Sequence, residues 1–241
     1  MCKITILVDN LDGSVEGFTK SYGFSAVIEI DNKKVLFDTG SNKKPLLDNF
    51  KSLGYTPKDL DCVILSHNHD DHTDGLPGIL QENETIPVYV HKDWDRKVSF
   101  MGFQVPVKNK RIINHGGKLS QISNKIIITN PHYSNDYGGI DEHACYVKNE
   151  QKNSYILITG CCHPGLTTFL NDRESLNISL NSPLSIIGGL HGFRFSNQQA
   201  KQFYPKLEKI ILSHCTTHIK AYERQFKEKV SVGVVGKTYL F

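Results

Sequence analysis

The run Ser66-His67-Asn68-His69-Asp70-Asp71-His72 places three imidazoles and two carboxylates within seven residues. Alternation aims His67 and His69 to one side, while Asp71 and His72 turn back toward a second point nearby. Mixed nitrogen and oxygen donors suit zinc, iron or manganese better than calcium or magnesium, which prefer oxygen shells. His67, His69, Asp71 and His72 are therefore expected metal ligands. Asp71 is also suited to holding a nucleophilic water, a catalytic role. These donors leave the end of the apolar run Asp61–Leu65, which reads as a buried strand, and a loop on such a scaffold can hold them rigidly.

The elements that must position this loop alternate along the chain. Short runs rich in Val and Ile are interspersed with helical spacing, the pattern of an α/β fold. Phe24–Ile30 and Lys34–Asp38 read as strands joined by a turn at Asp31-Asn32-Lys33. Leu46, Leu47, Phe50 and Leu53 recur at helical spacing, and Gly54 supplies a C-cap. A short helix is expected around Leu76–Leu80 and a strand at Pro87–Val90.

From Lys92 to Ile140 the periodicity breaks down, and Trp94, Phe100, Phe103, Tyr133 and Tyr137 stand among Gly, Pro and Asn. A segment of this kind in a compact domain reads as a lid or binding loop. Basic residues outnumber acidic ones between Lys92 and Lys118, which points to an anionic substrate. Alternation resumes with strands at Ala144–Lys148 and Ser154–Thr159, a helix through Leu170 and a strand at Leu184–Ile187. A helix near Gln198–Leu207, a strand at Lys209–Leu212, a helix presenting Ile219, Tyr222 and Phe226, and a terminal strand complete the chain. No repeat or linker interrupts it. Residues 1–241 read as one domain with a candidate lid at 92–140.

Composition narrows the function classes. Of 241 residues, 39% are hydrophobic and 22% charged, ordinary for a globular protein. A net charge of +3 gives no argument for nucleic-acid or membrane partners. No apolar run reaches the roughly 18 residues of a membrane span. The opening Met1-Cys2-Lys3-Ile4-Thr5-Ile6-Leu7-Val8-Asp9 reads as a strand and lacks the cleavage site of a secretory signal. Cys2, Cys62, Cys145, Cys161, Cys162 and Cys215 form no CxxC pair and read as reduced thiols. A cytoplasmic location is expected.

H-x-H-x-D-H after a buried strand resembles the signature of the metallo-β-lactamase fold superfamily. The resemblance implies a four-layer αββα sandwich with a two-metal site. Leu36-Phe37-Asp38-Thr39-Gly40 is similar to that family's other early motif, which implies that Asp38 orients a metal ligand. Tyr22-Gly23-Phe24-Ser25, Thr159-Gly160-Cys161-Cys162-His163, Gly188-Gly189-Leu190-His191 and His214-Cys215-Thr216 narrow it further. They resemble a subgroup that includes a synthase joining a dihydropterin to a ribofuranosylaminobenzene phosphate. The resemblance runs over nearly the whole chain, but a fold of this breadth hosts many chemistries.

Departures from the family pattern direct attention to particular residues. The third-motif histidine that many members carry before Ala144–Lys148 is replaced by Gly138-Gly139-Ile140-Asp141-Glu142-His143, where His143 lies closer to the strand. The motif normally Thr-Gly-Asp appears as Thr159-Gly160-Cys161, so a cysteine stands where a bridging aspartate is usual. His163 is read as the replacement imidazole ligand, Cys161 as a candidate thiolate ligand and Cys162 as packing. His214 ends the run Ile210–Leu212 as the family's last ligand does. His191 is a candidate catalytic proton donor or substrate contact. His91, His115, His132 and His218 have no motif support and read as surface or loop residues.

Two divalent metals, zinc first and iron or manganese next, would activate water for hydrolysis of a small ester, lactone or phosphate-bearing molecule. A transferase condensing a dihydropterin diphosphate with an aminobenzene riboside phosphate is the alternative enzyme, with Trp94, Tyr133 or Tyr137 as stacking surfaces. A di-iron redox or sensor protein is the alternative of another class. A nuclease is disfavoured, because the large accessory domain common in nucleases of this fold is not seen. The expected partner is a small molecule.

Overall fold

Two seven-stranded sheets face one another in the computed structural model, which describes residues 2–241. Met1, the first residue of the expected opening strand, lies outside the described residues. The first sheet runs in the order Thr238–Leu240, Lys3–Val8, Ser25–Ile30, Lys33–Phe37, Cys62–Ile64, Val88–His91, Lys110–Ile113. The second runs Val230–Val232, Leu207–Leu212, Leu184–Gly188, Ser154–Thr159, Cys145–Asn149, Ile126–Ile128, Gly117–Lys118.

Period-two alternation assigns each side chain to a layer. Ala26, Ile28, Val35, Phe37 and Ile64 meet Cys145, Val147, Ile156, Ile158, Ile187 and Ile211 between the sheets. The intervening Val27, Leu36 and Val63 face outward onto Leu46, Phe50, Leu76 and Ile79, from the helices Lys43–Ser52 and Leu76–Glu82. On the far side, Tyr146, Leu157, Ile186, Ile210 and Leu212 pack against Leu166, Phe169, Tyr222 and Phe226, from the helices Leu166–Ser175 and Ile219–Phe226. The result is the four-layer αββα sandwich.

Local signals hold where they are strong. Asp31 and Asn32 take φ of 52° and 60°, the left-handed pair that a tight two-residue hairpin turn demands. The helix Lys43–Ser52 is capped by the Asn42 side chain on the Lys44 N–H, and Gly54 follows at φ 75°. The stretch 92–140 departs from the expectation of irregular chain. Lys110–Ile113 extends the first sheet, while Gly117–Lys118 and Ile126–Ile128 form the edge of the second. Strands of two to four residues are too short to register a period. The helix expected near Gln198–Leu207 ends at Phe203, since Pro205 cannot donate the N–H that continuation needs, and Leu207 already opens the next strand.

Candidate metal centre

The chemistry-bearing residues gather beyond the carboxyl ends of parallel strands, where open α/β sheets leave a crevice. Asp38 follows Lys33–Phe37, and the His67–His72 loop follows Cys62–Ile64. Across the sandwich, Cys161 and His163 follow Ser154–Thr159, His191 follows Leu184–Gly188, and His214 with Cys215 follows Leu207–Leu212. The two halves touch at Gly160. A Cβ there would lie 2.1 Å from Ser66 Oγ and 3.0 Å from Asp38 Oδ2, so a side chain would force the sheets apart. Gly23 likewise admits the Asp71 carbonyl, which a Cβ would meet at 1.9 Å.

One nitrogen from each of His67, His69 and His163 lies within 4.8 Å of the others. The Nε2 atoms of all three are buried and have no hydrogen-bond partner. An orphaned buried nitrogen is costly. Three aimed at one volume fit a cation that accepts their lone pairs. Asp71, His72 and His214 form an adjoining group within the same limit. Cys161 joins His67 and His72 in one group and His214 and Cys215 in another, so its sulfur sits between the two positions.

The far sides of four of these rings meet partners, as is usual for metal-binding imidazoles. His72 Nδ1 is 2.7 Å from Asp38 Oδ2, whose carboxylate also accepts the Ser66 N–H and Oγ–H at 2.7 Å each. His67 Nδ1 meets Ser66 Oγ at 2.9 Å, and His214 Nδ1 meets Asn10 Oδ1 at 2.5 Å. His163 Nδ1 lies 3.2 Å from Asp136 Oδ2. Asp38 thus fixes the orientation of the His72 ring.

Burial and neighbouring imidazoles push His67 well below its usual pKa. Burial, with His72 acting in the same direction, takes His69 down to about 4. Burial, reinforced by His191 and His69, takes His163 to about 3. All three are neutral near pH 7, the form that binds metal. Burial also opposes charge on Asp71, but His72 and His214 outweigh it and hold the carboxyl well below the usual range. His72 is the exception among the rings. Burial disfavours its charge, yet Asp71 and Asp38 carry it up to about 9. Without metal, an imidazolium at His72 supplies the positive charge, and a metal must displace that proton.

His191 reaches the same pocket. Its Nδ1 lies 3.7 Å from Asp136 Oδ2 and its Nε2 3.5 Å from Tyr137 Oη. Asp38, Phe100, Tyr137, Cys162, His191 and Cys215 all have positive φ, a cost of about 1–2 kcal/mol each. Such strain is stored at functional sites.

Several functional positions escaped sequence reasoning. Glu142 is fully buried and its carboxylate accepts the N–H groups of Cys161, Cys162 and His163 at 2.7–3.0 Å, shaping the loop that carries two donors. Burial pushes Glu142 up to about 7. Asp136 links His163 and His191, and no spacing signal announces that. Tyr22, Phe100 and Tyr137 line the pocket; Tyr22 stands in the Tyr22–Ser25 motif, and Phe100 and Tyr137 are aromatics of the aperiodic stretch.

The remaining candidate residues lie apart from the donor groups. His143 Nε2 lies 2.8 Å from the Leu65 carbonyl, and His143 joins none of the donor groups, so the ring braces the strand end. Trp94 is completely buried among Val88 and Val90 and cannot stack on a substrate. Tyr133 meets Arg96 at 5.2 Å and does not line the pocket. His91 is buried, against the expectation of a surface residue, because alternation after Val90 turns it inward. His132 pairs with Asp172 at 2.9 Å, while His115 is exposed.

The chain matches the Metallo-beta-lactamase superfamily over residues 19–148, and it belongs to that superfamily. It is 29% identical to the 7,8-dihydropterin-6-methyl-4-(beta-D-ribofuranosyl)-aminobenzene-5'-phosphate synthase of Methanocaldococcus jannaschii, covering 94% of this chain and 91% of that protein. An uncharacterized protein of the same organism is 30% identical over 88% of this chain and 90% of its own length. Among solved structures, the metallo-beta-lactamase fold protein YhfI from Bacillus subtilis superposes with a TM-score of 0.61 at 15% identity, covering 99% of this chain and 98% of that one.

Proposed function

We propose that this member of the metallo-β-lactamase superfamily is a metal-dependent hydrolase of a small, anionic ester, lactone or phosphate-bearing molecule. The convergence of three orphaned Nε2 atoms, from His67, His69 and His163, beside the Asp71–His72–His214 group carries this reading. The first three residues would hold one divalent metal and the second three another, with Cys161 between them. Zinc accepts this nitrogen, oxygen and sulfur donor set best, with iron or manganese as alternatives. Bound there, the metals would acidify a water and polarise a carbonyl or phosphoryl oxygen.

The chain's own groups supply orientation and proton movement. Asp71 stays ionised and accepts a hydrogen bond from a water that faces the substrate. His191, with its side chain 27% exposed, can hand a proton to a leaving group, and Asp136 and Tyr137 fix its ring. Phe100 and Tyr137 bring two parts of 92–140 over the pocket, which supports the lid reading for those parts. The cavity of about 280 Å³ suits the reacting end of a small molecule. Six free thiols support a reducing compartment, the cytoplasm. No described helix is long and apolar enough to cross a membrane.

A second reading, condensation of a dihydropterin diphosphate with an aminobenzene riboside phosphate, is favoured by the synthase relative and by the rings of Tyr22, Phe100 and Tyr137 at the pocket. Flat substrates stack on such rings. Turnover in ¹⁸O-water by the zinc-loaded protein separates the two. Label in the product of an ester, lactone or phosphate supports hydrolysis; an unlabelled condensation product with diphosphate released supports transfer. A visible iron chromophore in the protein as purified, together with no turnover of either kind, would favour a redox or sensor role.

A further inference from the structure

Of the six free cysteines, four are spent on packing. Cys2, Cys62 and Cys145 lie between the sheets, and Cys162 faces the core beneath the helices. Only Cys161 and Cys215 line the pocket. Their loops leave Ser154–Thr159 and Leu207–Leu212, strands separated by Leu184–Gly188. They can meet because Gly189 stands between them. A Cβ at Gly189 would lie 2.4 Å from the Gly160 carbonyl oxygen and 2.6 Å from Cys215 Sγ. The two sulfurs and a His214 nitrogen fall within 4.8 Å of one another. Cys161 Sγ is also 3.2 Å from His72 Nε2.

We infer that Cys161 and Cys215 form a dithiol lock on the metal position, which closes to a disulfide when metal is absent and a disulfide oxidant is present. The inference rests on the metal-site reading above. A disulfide needs sulfurs about 2.05 Å apart, a short approach for two side chains carried on loops. Cys161 is 4% exposed and Cys215 more open, so the oxidant meets Cys215 first. The Cys215 thiolate attacks one sulfur of oxidised glutathione and expels one glutathione. The Cys161 thiolate then attacks the Cys215 sulfur of the mixed disulfide and expels the second. Two electrons pass to the oxidant, and the two thiol protons end on the two released glutathiones. A metal holding the Cys161 sulfur blocks the second attack, so loaded protein stays open. Closure removes the donor between the two metal positions.

Metal-stripped and zinc-loaded proteins exposed to oxidised glutathione, then read by intact mass, peptide mapping and zinc uptake, test the lock. The stripped protein should lose two hydrogens, yield a Cys161–Cys215 cross-linked peptide, and bind zinc at least about tenfold more weakly until dithiothreitol restores it. Zinc-loaded protein should gain no cross-link, and stripped Cys215→Ser, oxidised in the same way and not reduced again, should form no cross-link and keep its zinc uptake. A stable glutathione adduct without the cross-link, a bridge between other cysteines, or equal cross-linking with zinc present overturns the lock. Normal zinc uptake without any cross-link overturns the lock alone, whereas no zinc uptake before oxidation overturns the metal reading and the lock together.

Discussion

His67, His69 and His163 are buried imidazoles at the mouth of the sandwich, and His91 and His143 are buried imidazoles a short way inside it. Burial lowers the pKa of both sets. Their surroundings differ. In the first set, Ser66 and Asp136 fix the Nδ1 atoms of His67 and His163, and the Nε2 atoms share one volume with carboxylate and thiol donors next to it. In the second, the rings stand 5.7 Å apart, His143 is tied to the Leu65 carbonyl, and no third donor joins them among the described residues. Desolvation alone therefore does not make a ligand. Convergence of free nitrogens is what the proposed ligands have and the inner pair lacks.

The comparison predicts the largest contrast in metal content. His67→Ala with His69→Ala should reduce bound metal from one or two equivalents to near zero, with the circular dichroism spectrum preserved. His91→Leu should keep full metal, because it replaces an unpartnered buried ring with an apolar one. Equal metal loss in the two proteins would break the distinction.

A smaller effect is expected from the braces. Asp38→Asn weakens the hold on His72 and should lower metal affinity about 10–100-fold, measured by chelator competition. His143→Gln keeps a donor for the Leu65 carbonyl and should leave affinity within about threefold, since it acts on no ligand.

The pH dependence of stability sharpens the same division. Burial takes His143 from 6.5 down to about 4. Between those values the unfolded chain binds the extra proton, so stability falls as pH drops from 6.5 toward 4. Because the proposed metal centre does not include His143, this slope should persist in the metal-loaded protein. His143→Gln should flatten it by up to about 1.4 kcal/mol per pH unit, read from urea unfolding at stepped pH. An unchanged slope would mean that the ring is protonated in the fold.

The smallest effects belong to the rim. Tyr137→Phe should retain metal and fold and alter turnover less than about tenfold, through the His191 ring that its hydroxyl meets. Limited proteolysis should cut first near Phe100 or Tyr137, and a bound substrate should protect those sites. Cleavage indifferent to substrate would remove the lid role.

How much of this was legible in the sequence follows the range of the interactions. The His67–His72 run, the Asp31-Asn32 turn and the alternation of Val35, Leu36 and Phe37 are local, and each reads directly from spacing. His163 and His214 were legible as donors through motifs at strand ends. Glu142 and Asp136 were not, because each acts on a loop some 20 to 30 residues away that only the sheet pairing brings near. His91 is buried against the expectation of a surface position, although the alternation Val88, Tyr89, Val90 turns it inward. The short edge strands within 92–140 owe their existence to neighbours already in place, and their own residues carry too little pattern to reveal them.

Anomalous diffraction at the metal edge from crystals of the zinc-loaded protein tests the central claim most directly. The account predicts one peak about 2.0–2.1 Å from nitrogens of His67, His69 and His163, a second beside Asp71, His72 and His214, and the Cys161 sulfur between them. A peak on His143 or His91, or His163 turned away from the metal, would contradict it.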